Sequence, residues 1–92
     1  MEEVVRYRLT FEGRVQGVGF RYKAKYTADR YRLTGFVKNE YDGSVTAELQ
    51  GTDAAIDMFL ETIYGDRFIK IMGIDKEIIP IESDERGFII QY

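Results

Sequence analysis

The sequence predicts an α+β fold of the ferredoxin-like split βαβ kind, an antiparallel sheet with two helices on one face and a short C-terminal strand. The hydrophobic period alternates between two and 3.6 in the order β-α-β-β-α-β. Asp42-Gly43 between two apolar runs is a strong hairpin signal. The chain has 92 residues, of which 45% are hydrophobic and 32% charged, which suits one domain over residues 1–92.

The first half predicts a strand, a helix and a second strand. Residues 4–12 place alternate side chains on one apolar face, which is typical of a half-buried strand: Val5, Tyr7, Leu9 and Phe11. Residues 20–31 change to a helical period, and these residues form the inner stripe: Phe20, Ala24, Thr27, Ala28 and Tyr31. We expect a turn over residues 33–35, with Gly35 suited to it, and a strand over residues 36–41.

The second half predicts a strand, a helix and a less distinct ending. Residues 44–50 alternate around Val45, Ala47 and Leu49, and residues 53–64 return to the helical period. Thr52 is a suitable N-cap for this helix, and Gly65 stands where a C-terminal glycine belongs. Residues 68–72 indicate a strand. Residues 78–81, interrupted by Pro80, are either its continuation or an edge, and residues 88–92 form the closing strand.

Composition excludes several kinds of chemistry. The chain has no cysteine and no histidine, which rules out disulfides, thiol catalysis and histidine general bases. The net charge of −3 argues against a general nucleic-acid binder. No apolar run reaches membrane-spanning length and no signal-peptide pattern opens the chain, so we expect a cytoplasmic protein without a membrane partner.

Positive charge is concentrated in the first half of the chain. Residues 1–39 carry nine basic and four acidic residues, whereas residues 40–92 carry four basic and twelve acidic residues. The basic half contains the stretch GRVQGVGFR, residues 13–21. A local positive field on an acidic protein is one interpretation, and a solvated row of basic side chains along one helix face is the other.

The stretch GRVQGVGFR joins the first predicted strand to the first helix. Gly17 and Gly19 free the backbone so that successive N–H groups can converge, and the helix start adds unpaired N–H donors. Arg21 adds a planar guanidinium that suits phosphate oxygens. The stretch therefore predicts an anion cradle, most plausibly for phosphate. Taken alone, two glycines that serve only a turn and a solvated arginine are the more common explanation.

The predicted topology brings a second polar group to the cradle. The first helix carries the chain back across the sheet, so the first and second strands run in the same direction and end at the same edge. Asn39 lies at the end of the second strand, between Lys38 and Glu40. An asparagine near a hairpin commonly serves only the turn, but its predicted position beside Arg21 favours a functional role.

The chain resembles the acylphosphatase family, small enzymes that hydrolyse the carboxyl-phosphate mixed anhydride to a carboxylate and phosphate. GRVQGVGFR and GFVKNEYDGSVTAELQG, residues 35–51, carry the resemblance, together with the helix between them. The resemblance implies that Arg21 grips the phosphate and that Asn39 orients the attacking water. It also implies that backbone amides form the phosphate loop: Gln16, Gly17, Val18, Gly19 and Phe20.

The resemblance implies an acyl phosphate as the small-molecule substrate and inorganic phosphate as the product, with no cofactor and no metal. We expect a monomer.

Acidic residues near the end of the chain suggest a solvated loop, with a metal site as the minor alternative because no ligand spacing supports it: Glu82, Asp84 and Glu85. We expect Phe20 and Phe36 to anchor the core beneath the cradle.

Three departures from the family pattern keep alternatives open. Arg32 stands where the family usually has a glycine, Phe36 replaces a more usual tryptophan, and residues 64–80 follow the pattern poorly. A non-catalytic acylphosphatase-like module that binds an anion or a partner is the stronger alternative. An RNA-binding module with the same element order is the other, but its glycine-aromatic signature belongs on the third strand, where this chain has SVTAELQ.

Overall fold

In a computed structural model, which describes residues 3–92, the protein folds as a five-stranded sheet with two helices. The first two residues of the predicted domain lie outside the described part. The elements, in chain order, are β1 (Val4–Arg14), α1 (Phe20–Arg30), β2 (Thr34–Asn39), β3 (Val45–Thr52), α2 (Asp53–Tyr64), β4 (Lys70–Ile79) and β5 (Phe88–Ile90). The predicted ferredoxin-like fold class is confirmed.

The strand order in the sheet is β4-β1-β3-β2-β5. β1 pairs antiparallel with β3 and β4, and β2 pairs antiparallel with β3. β5 adds a parallel edge beside β2, so the sheet is mixed. Because β1 and β2 both run antiparallel to β3, they point the same way and their C-terminal ends share one edge of the sheet.

One face of the sheet packs against both helices and forms the core. The alternating residues predicted to face inward, such as Leu9, Phe11 and Val45, are buried. The helices contribute the predicted stripes, and their fully buried members are Phe20, Ala24, Ala28, Ile56, Phe59 and Ile63. Thr52 caps α2 as predicted, because its side-chain oxygen accepts a hydrogen bond from the Ala55 backbone N–H at 3.1 Å.

Gly35 is not the turn residue expected after α1. It lies inside β2 with φ of +136°, where a Cβ atom would sit 1.8 Å from the carbonyl oxygen of Glu48. Close approach of the β3 backbone therefore requires glycine here. The turn is made by Tyr31 and Arg32, and Arg32 takes φ of +59°, the one positive φ of a non-glycine residue within residues 3–92. This left-handed backbone explains why a glycine suits that position.

Three other local expectations have different outcomes. Phe36 is only half-buried, since it alternates with buried Val37 and points away from the helices. Gly65 is the C-cap of α2, as predicted, but its φ of −80° is one that any residue can adopt. Of the two alternatives for residues 78–81, continuation is confirmed as far as Ile79, because β4 (Lys70–Ile79) is one edge strand that ends just before Pro80.

The segment between β4 and β5 is not a freely solvated loop. Glu85 accepts two hydrogen bonds from Arg6 of β1, at 2.7 and 3.1 Å. The Glu82 backbone N–H and C=O both bond the side chain of Gln50 on β3, at 2.7 and 3.0 Å. The segment is thereby fixed across the helix-free face of the sheet, which on β1 and β3 carries ion pairs and polar groups rather than aromatic rings.

Across residues 3–92, neither helix has the length and apolar character needed to cross a bilayer. The same residues contain no cluster of three or more acidic side chains placed to hold a metal ion.

Candidate active site

The cradle loop, residues 15–19, leaves the C-terminal end of β1 and enters α1. Val15 is buried and anchors its start, and Phe20 packs tilted against Phe11 with ring centroids 5.0 Å apart. Gly17 and Gly19 adopt φ of +74° and +80°, with no atom within 4 Å of a would-be Cβ. Glycine is therefore needed at both positions for its backbone conformation rather than for space.

The backbone amides of this loop are unused by the protein. Gly19 is the N-cap of α1, and no side chain caps the helix. The first backbone hydrogen bond of the helix runs from Lys23 N–H to the Gly19 carbonyl at 3.0 Å. Within residues 3–92 no protein acceptor takes a hydrogen bond from the N–H groups of residues 16–20. Unpaired donors at a helix start make a site for an anion.

Arg21 and Asn39 line one cavity of about 200 Å³ with the loop. Its wall also includes Val15, Gly17, Gly19, Phe20 and Tyr22. Asn39 is the exposed last residue of β2, and Arg21 is half-buried in the first turn of α1. The structure thus brings the two predicted site residues together, even though they come from different elements and are 18 positions apart in the chain.

Two of the predicted loop residues do not line this cavity. Val18 is half-buried and packs against the core cluster. Gln16 instead lines an adjoining groove of about 490 Å³ beside Asn39 and Tyr92. Gly17, Gly19 and Phe20 therefore line the cavity, whereas Gln16 and Val18 lie outside its lining.

The Gln16 side chain connects the cradle loop to the β2–β3 hairpin. Its Nε2 donates to the backbone carbonyls of Glu40 and Ser44, at 2.7 and 2.8 Å. These carbonyls flank the turn that follows Asn39. The side chain therefore fixes the distance between the amides of the loop and the end of β2, a role that the sequence analysis missed because hairpin and loop are far apart in the chain.

The hairpin itself is built by Asp42, Gly43 and Ser44. The Asp42 carboxylate accepts hydrogen bonds from the Ser44 hydroxyl at 2.6 Å and from its N–H at 3.0 Å, and these bonds lower the pKa of Asp42. Gly43 takes φ of +94°. Both residues are turn residues, as predicted. Asp42 and Glu12 line a separate depression whose carboxylates would repel an anion.

Tyr92 is a further residue at the site that sequence analysis did not identify. The Arg21 guanidinium lies over its ring, 4.9 Å from the centroid. β5 pairs with β2 from Gly35 to Val37, and Gln91 N–H donates to the Val37 carbonyl at 2.8 Å. This parallel pairing carries the end of the chain toward Asn39. The alternation of the closing strand was visible in the sequence, but its partner strand was not.

The arrangement suits a tetrahedral dianion. The cavity is lined by one guanidinium, by the loop with its unused backbone donors and by a neutral side-chain amide, and no carboxylate is among its lining residues. In a half-buried site such donors act in a lower dielectric than water, which strengthens their attraction for negative charge.

Comparison with known proteins gives one consistent result. The family model described as Acylphosphatase matches residues 7–90. An acylphosphatase of Geobacillus kaustophilus is 46% identical over 88 residues, which cover 95% of this chain and 94% of that protein. The crystal structure of acylphosphatase from Bacillus subtilis superposes with a TM-score of 0.87 at 37% identity, covering 96% of this chain and 99% of that chain.

A larger protein contains a similar region. The crystal structure of HypF from T. kodakarensis matches with a TM-score of 0.84 at 31% identity, covering 96% of this chain but 12% of that chain. A similar fold thus also occurs as a small part of a longer polypeptide.

Proposed function

The chain belongs to the acylphosphatase family, and on that premise we propose how it hydrolyses an acyl phosphate to a carboxylate and inorganic phosphate. The observation that carries the proposal is the shared cavity of Arg21, Asn39 and a loop whose backbone N–H groups have no acceptor among residues 3–92. The reaction follows from membership of the family, and the geometry of this cavity suggests the part that each group plays.

The cradle and Arg21 hold the phosphate group. Backbone N–H groups at the start of α1 bond the phosphate oxygens, and the helix terminus adds a positive partial charge. Arg21 supplies a planar fork of N–H donors that matches two oxygens at once. Phosphoryl transfer depends chiefly on positioning and on stabilisation of charge at the non-bridging oxygens, so these groups supply most of the catalysis.

Asn39 positions the attacking water. Its side-chain oxygen accepts a hydrogen bond from the water. This bond directs a lone pair of the water oxygen at phosphorus. An amide is neutral and does not repel the substrate dianion, whereas a carboxylate at this position would.

The reaction needs no strong acid or base. The water oxygen forms a bond to phosphorus while the bond from phosphorus to the acyl oxygen breaks, and the bonding electrons leave with the carboxylate. Carboxylates are weak bases with pKa values of about 4, so the leaving group needs no protonation. A phosphate oxygen takes the proton lost by water. No covalent enzyme intermediate forms, which suits a chain without histidine or cysteine.

A non-catalytic anion-binding module is the second candidate. The match to a small region of HypF favours it, because a similar domain there is part of a larger protein. The two candidates share the cradle and differ in Asn39, since phosphate binding needs the cradle whereas hydrolysis also needs a positioned water.

Hydrolysis of benzoyl phosphate, with inorganic phosphate as competitor, separates the candidates. We expect turnover that phosphate inhibits competitively. Asn39→Ala should keep the inhibition constant for phosphate near its wild-type value and lower kcat by about 10²–10³, a loss typical of one positioned polar group. Asn39→Asp should weaken phosphate binding as well, because it adds negative charge. Phosphate binding by the wild type without turnover would select the binding module, and full turnover by Asn39→Ala would remove Asn39 from the mechanism.

A further inference from the structure

Tyr92 contacts Arg21 through the face of its ring. The guanidinium carbon lies 4.9 Å from the ring centroid, within the range of a cation–π contact. Tyr92 is 89% exposed, so the ring does not belong to the hydrophobic core. Pairing of β5 with β2 holds its backbone, because Gln91 donates to the Val37 carbonyl.

Arg21 has few other restraints. Within residues 3–92 no ion pair or side-chain hydrogen bond engages its guanidinium, whereas Arg6 and Arg8 are each held by two carboxylates. A long arginine side chain loses an appreciable amount of rotamer entropy when it is fixed. An anion that had to order Arg21 by itself would bind more weakly by part of that amount.

An aromatic ring is suited to restrain this particular arginine. A carboxylate partner would occupy the N–H donors at the edge of the guanidinium and cancel its charge. A ring that stacks on the flat face of a guanidinium leaves its edge donors available for phosphate oxygens. The Tyr92 phenol is neutral at physiological pH because a tyrosine pKa is about 10, and the neighbouring Tyr22 phenol raises the pKa of Tyr92 further.

We propose that Tyr92 is a positioning residue that holds the face of the Arg21 guanidinium and so presents its N–H groups to the phosphate. The proposal rests on the proposed function, because it assumes that Arg21 binds the phosphate. It adds the closing strand to the site, since β5 delivers the ring.

The test compares Tyr92→Leu, which removes the ring, with Tyr92→Phe, which keeps it. Tyr26→Leu is the matched control, since Tyr26 is an exposed tyrosine of α1 that does not line the cavity. The inhibition constant for phosphate should rise about 2- to 5-fold in Tyr92→Leu, which corresponds to ~0.5–1 kcal/mol for an exposed cation–π contact. Tyr92→Phe and Tyr26→Leu should keep the wild-type value.

NMR of the Arg21 side chain provides a readout that a general loss of stability would not mimic. Ring current from Tyr92 should shift the Arg21 Hε and Hδ resonances upfield in the wild type and in Tyr92→Phe. The resonances should return to ordinary values in Tyr92→Leu, with the backbone spectrum otherwise retained. Ordinary Arg21 shifts in the wild type would overturn the proposal, and they would do so even if Tyr92→Leu failed to fold.

The remaining outcomes are also decisive. An unchanged phosphate constant in a folded Tyr92→Leu would refute the positioning role while leaving the proposed function intact. Equal losses in Tyr92→Phe and Tyr92→Leu would assign the effect to the hydroxyl and refute the role of the ring. A wild type that neither binds phosphate nor hydrolyses benzoyl phosphate would reject the proposed function, and the Tyr92 proposal with it.

Discussion

Two arginines of this small protein lie in opposite kinds of surroundings. Arg6, on the helix-free face of the sheet, is 2% exposed and is ion-paired to Glu85 at 2.7 Å and to Glu48 at 2.9 Å. Arg21, at the cradle, is half-buried and contacts an aromatic ring. The carboxylates around Arg6 occupy its donors, whereas within residues 3–92 no carboxylate pairs with Arg21.

The difference teaches that the partners of an arginine indicate its role better than its burial does. Burial acts to lower the pKa of Arg6, but hydrogen bonds to Glu85 and Glu48 outweigh this effect, so the pKa is raised. The positive charge of Arg6 therefore stabilises the fold. Such a residue has no capacity left for a ligand. Arg21 lies in a cavity beside the backbone donors of the loop. Within residues 3–92 no ion pair or side-chain hydrogen bond engages its guanidinium.

The largest effect is expected from Arg6→Met. Removal of one partner from a buried ion pair costs about 3–5 kcal/mol, because Glu85, only 21% exposed, loses its cation and Glu48, 13% exposed, keeps only Arg8. Chemical denaturation measures the loss of unfolding free energy. Arg8→Met is the matched control, since Arg8 lies on the same face at 48% exposure and its removal should cost less than ~1 kcal/mol. Equal losses of unfolding free energy in Arg6→Met and Arg8→Met would contradict the structural role assigned to Arg6.

Arg21→Gln should behave in the reverse manner. Loss of a preorganised donor lowers turnover by about 10²–10³ and abolishes measurable phosphate affinity. The unfolding free energy should stay within about 0.5 kcal/mol of wild type, because no carboxylate within residues 3–92 depends on Arg21. Arg30→Gln, an equal charge change at the other end of α1, should preserve activity. A large stability loss in Arg21→Gln would place it in the same class as Arg6.

Gln16→Met tests the connection between the cradle and the hairpin. The variant keeps the backbone amide and the side-chain length but removes hydrogen bonds of 2.7 and 2.8 Å to the Glu40 and Ser44 carbonyls. We expect kcat to fall about tenfold, matching ~1–2 kcal/mol of lost hydrogen bonding, while phosphate inhibition persists. An equal loss of phosphate affinity would show that the Gln16 side chain serves binding rather than the position of Asn39.

The pH dependence of stability should be the smallest effect. It should depend on the ion pair between Arg6 and Glu85 rather than on Arg21. Burial alone would raise the pKa of Glu85, but the hydrogen bonds from Arg6 lower it more, so the folded-state pKa lies below the unfolded value. Its stabilisation is therefore fully present above the unfolded value of about 4.3 and is lost as pH falls through the folded pKa. Glu85→Gln should flatten the fall in unfolding free energy below pH ~4.5. An unchanged pH profile would contradict the role assigned to the ion pair.

Much of the fold follows from local pattern. Alternation around Leu9 and Phe11 and around Val45 and Ala47 predicts β1 and β3, because one side of each strand faces the core. The helix limits differ from prediction by one residue at most. The errors arise where pairing, not periodicity, decides: β2 spans Thr34–Asn39 instead of residues 36–41 because Gly35 approaches the β3 backbone closely.

The site was predictable where its residues are close in the chain or where the element order brings them together. Gly17, Gly19 and Arg21 lie within five residues of one another in the chain, and the strand order implied by the element sequence brings Asn39 to them. The contacts of Gln16 with the hairpin and of Tyr92 with Arg21 depend on pairing between segments distant in the chain. The same holds for Arg6, whose partners come from β3 and from the segment before β5. No local pattern contains that information.

A crystal structure with bound phosphate tests the central claim most directly. We predict one phosphate in the cradle cavity, with backbone N–H groups of the loop and the Arg21 guanidinium on its oxygens and the Asn39 amide facing it across the edge of the sheet. Phosphate bound elsewhere, or an Arg21 side chain turned away from a phosphate in the cradle, would contradict the account.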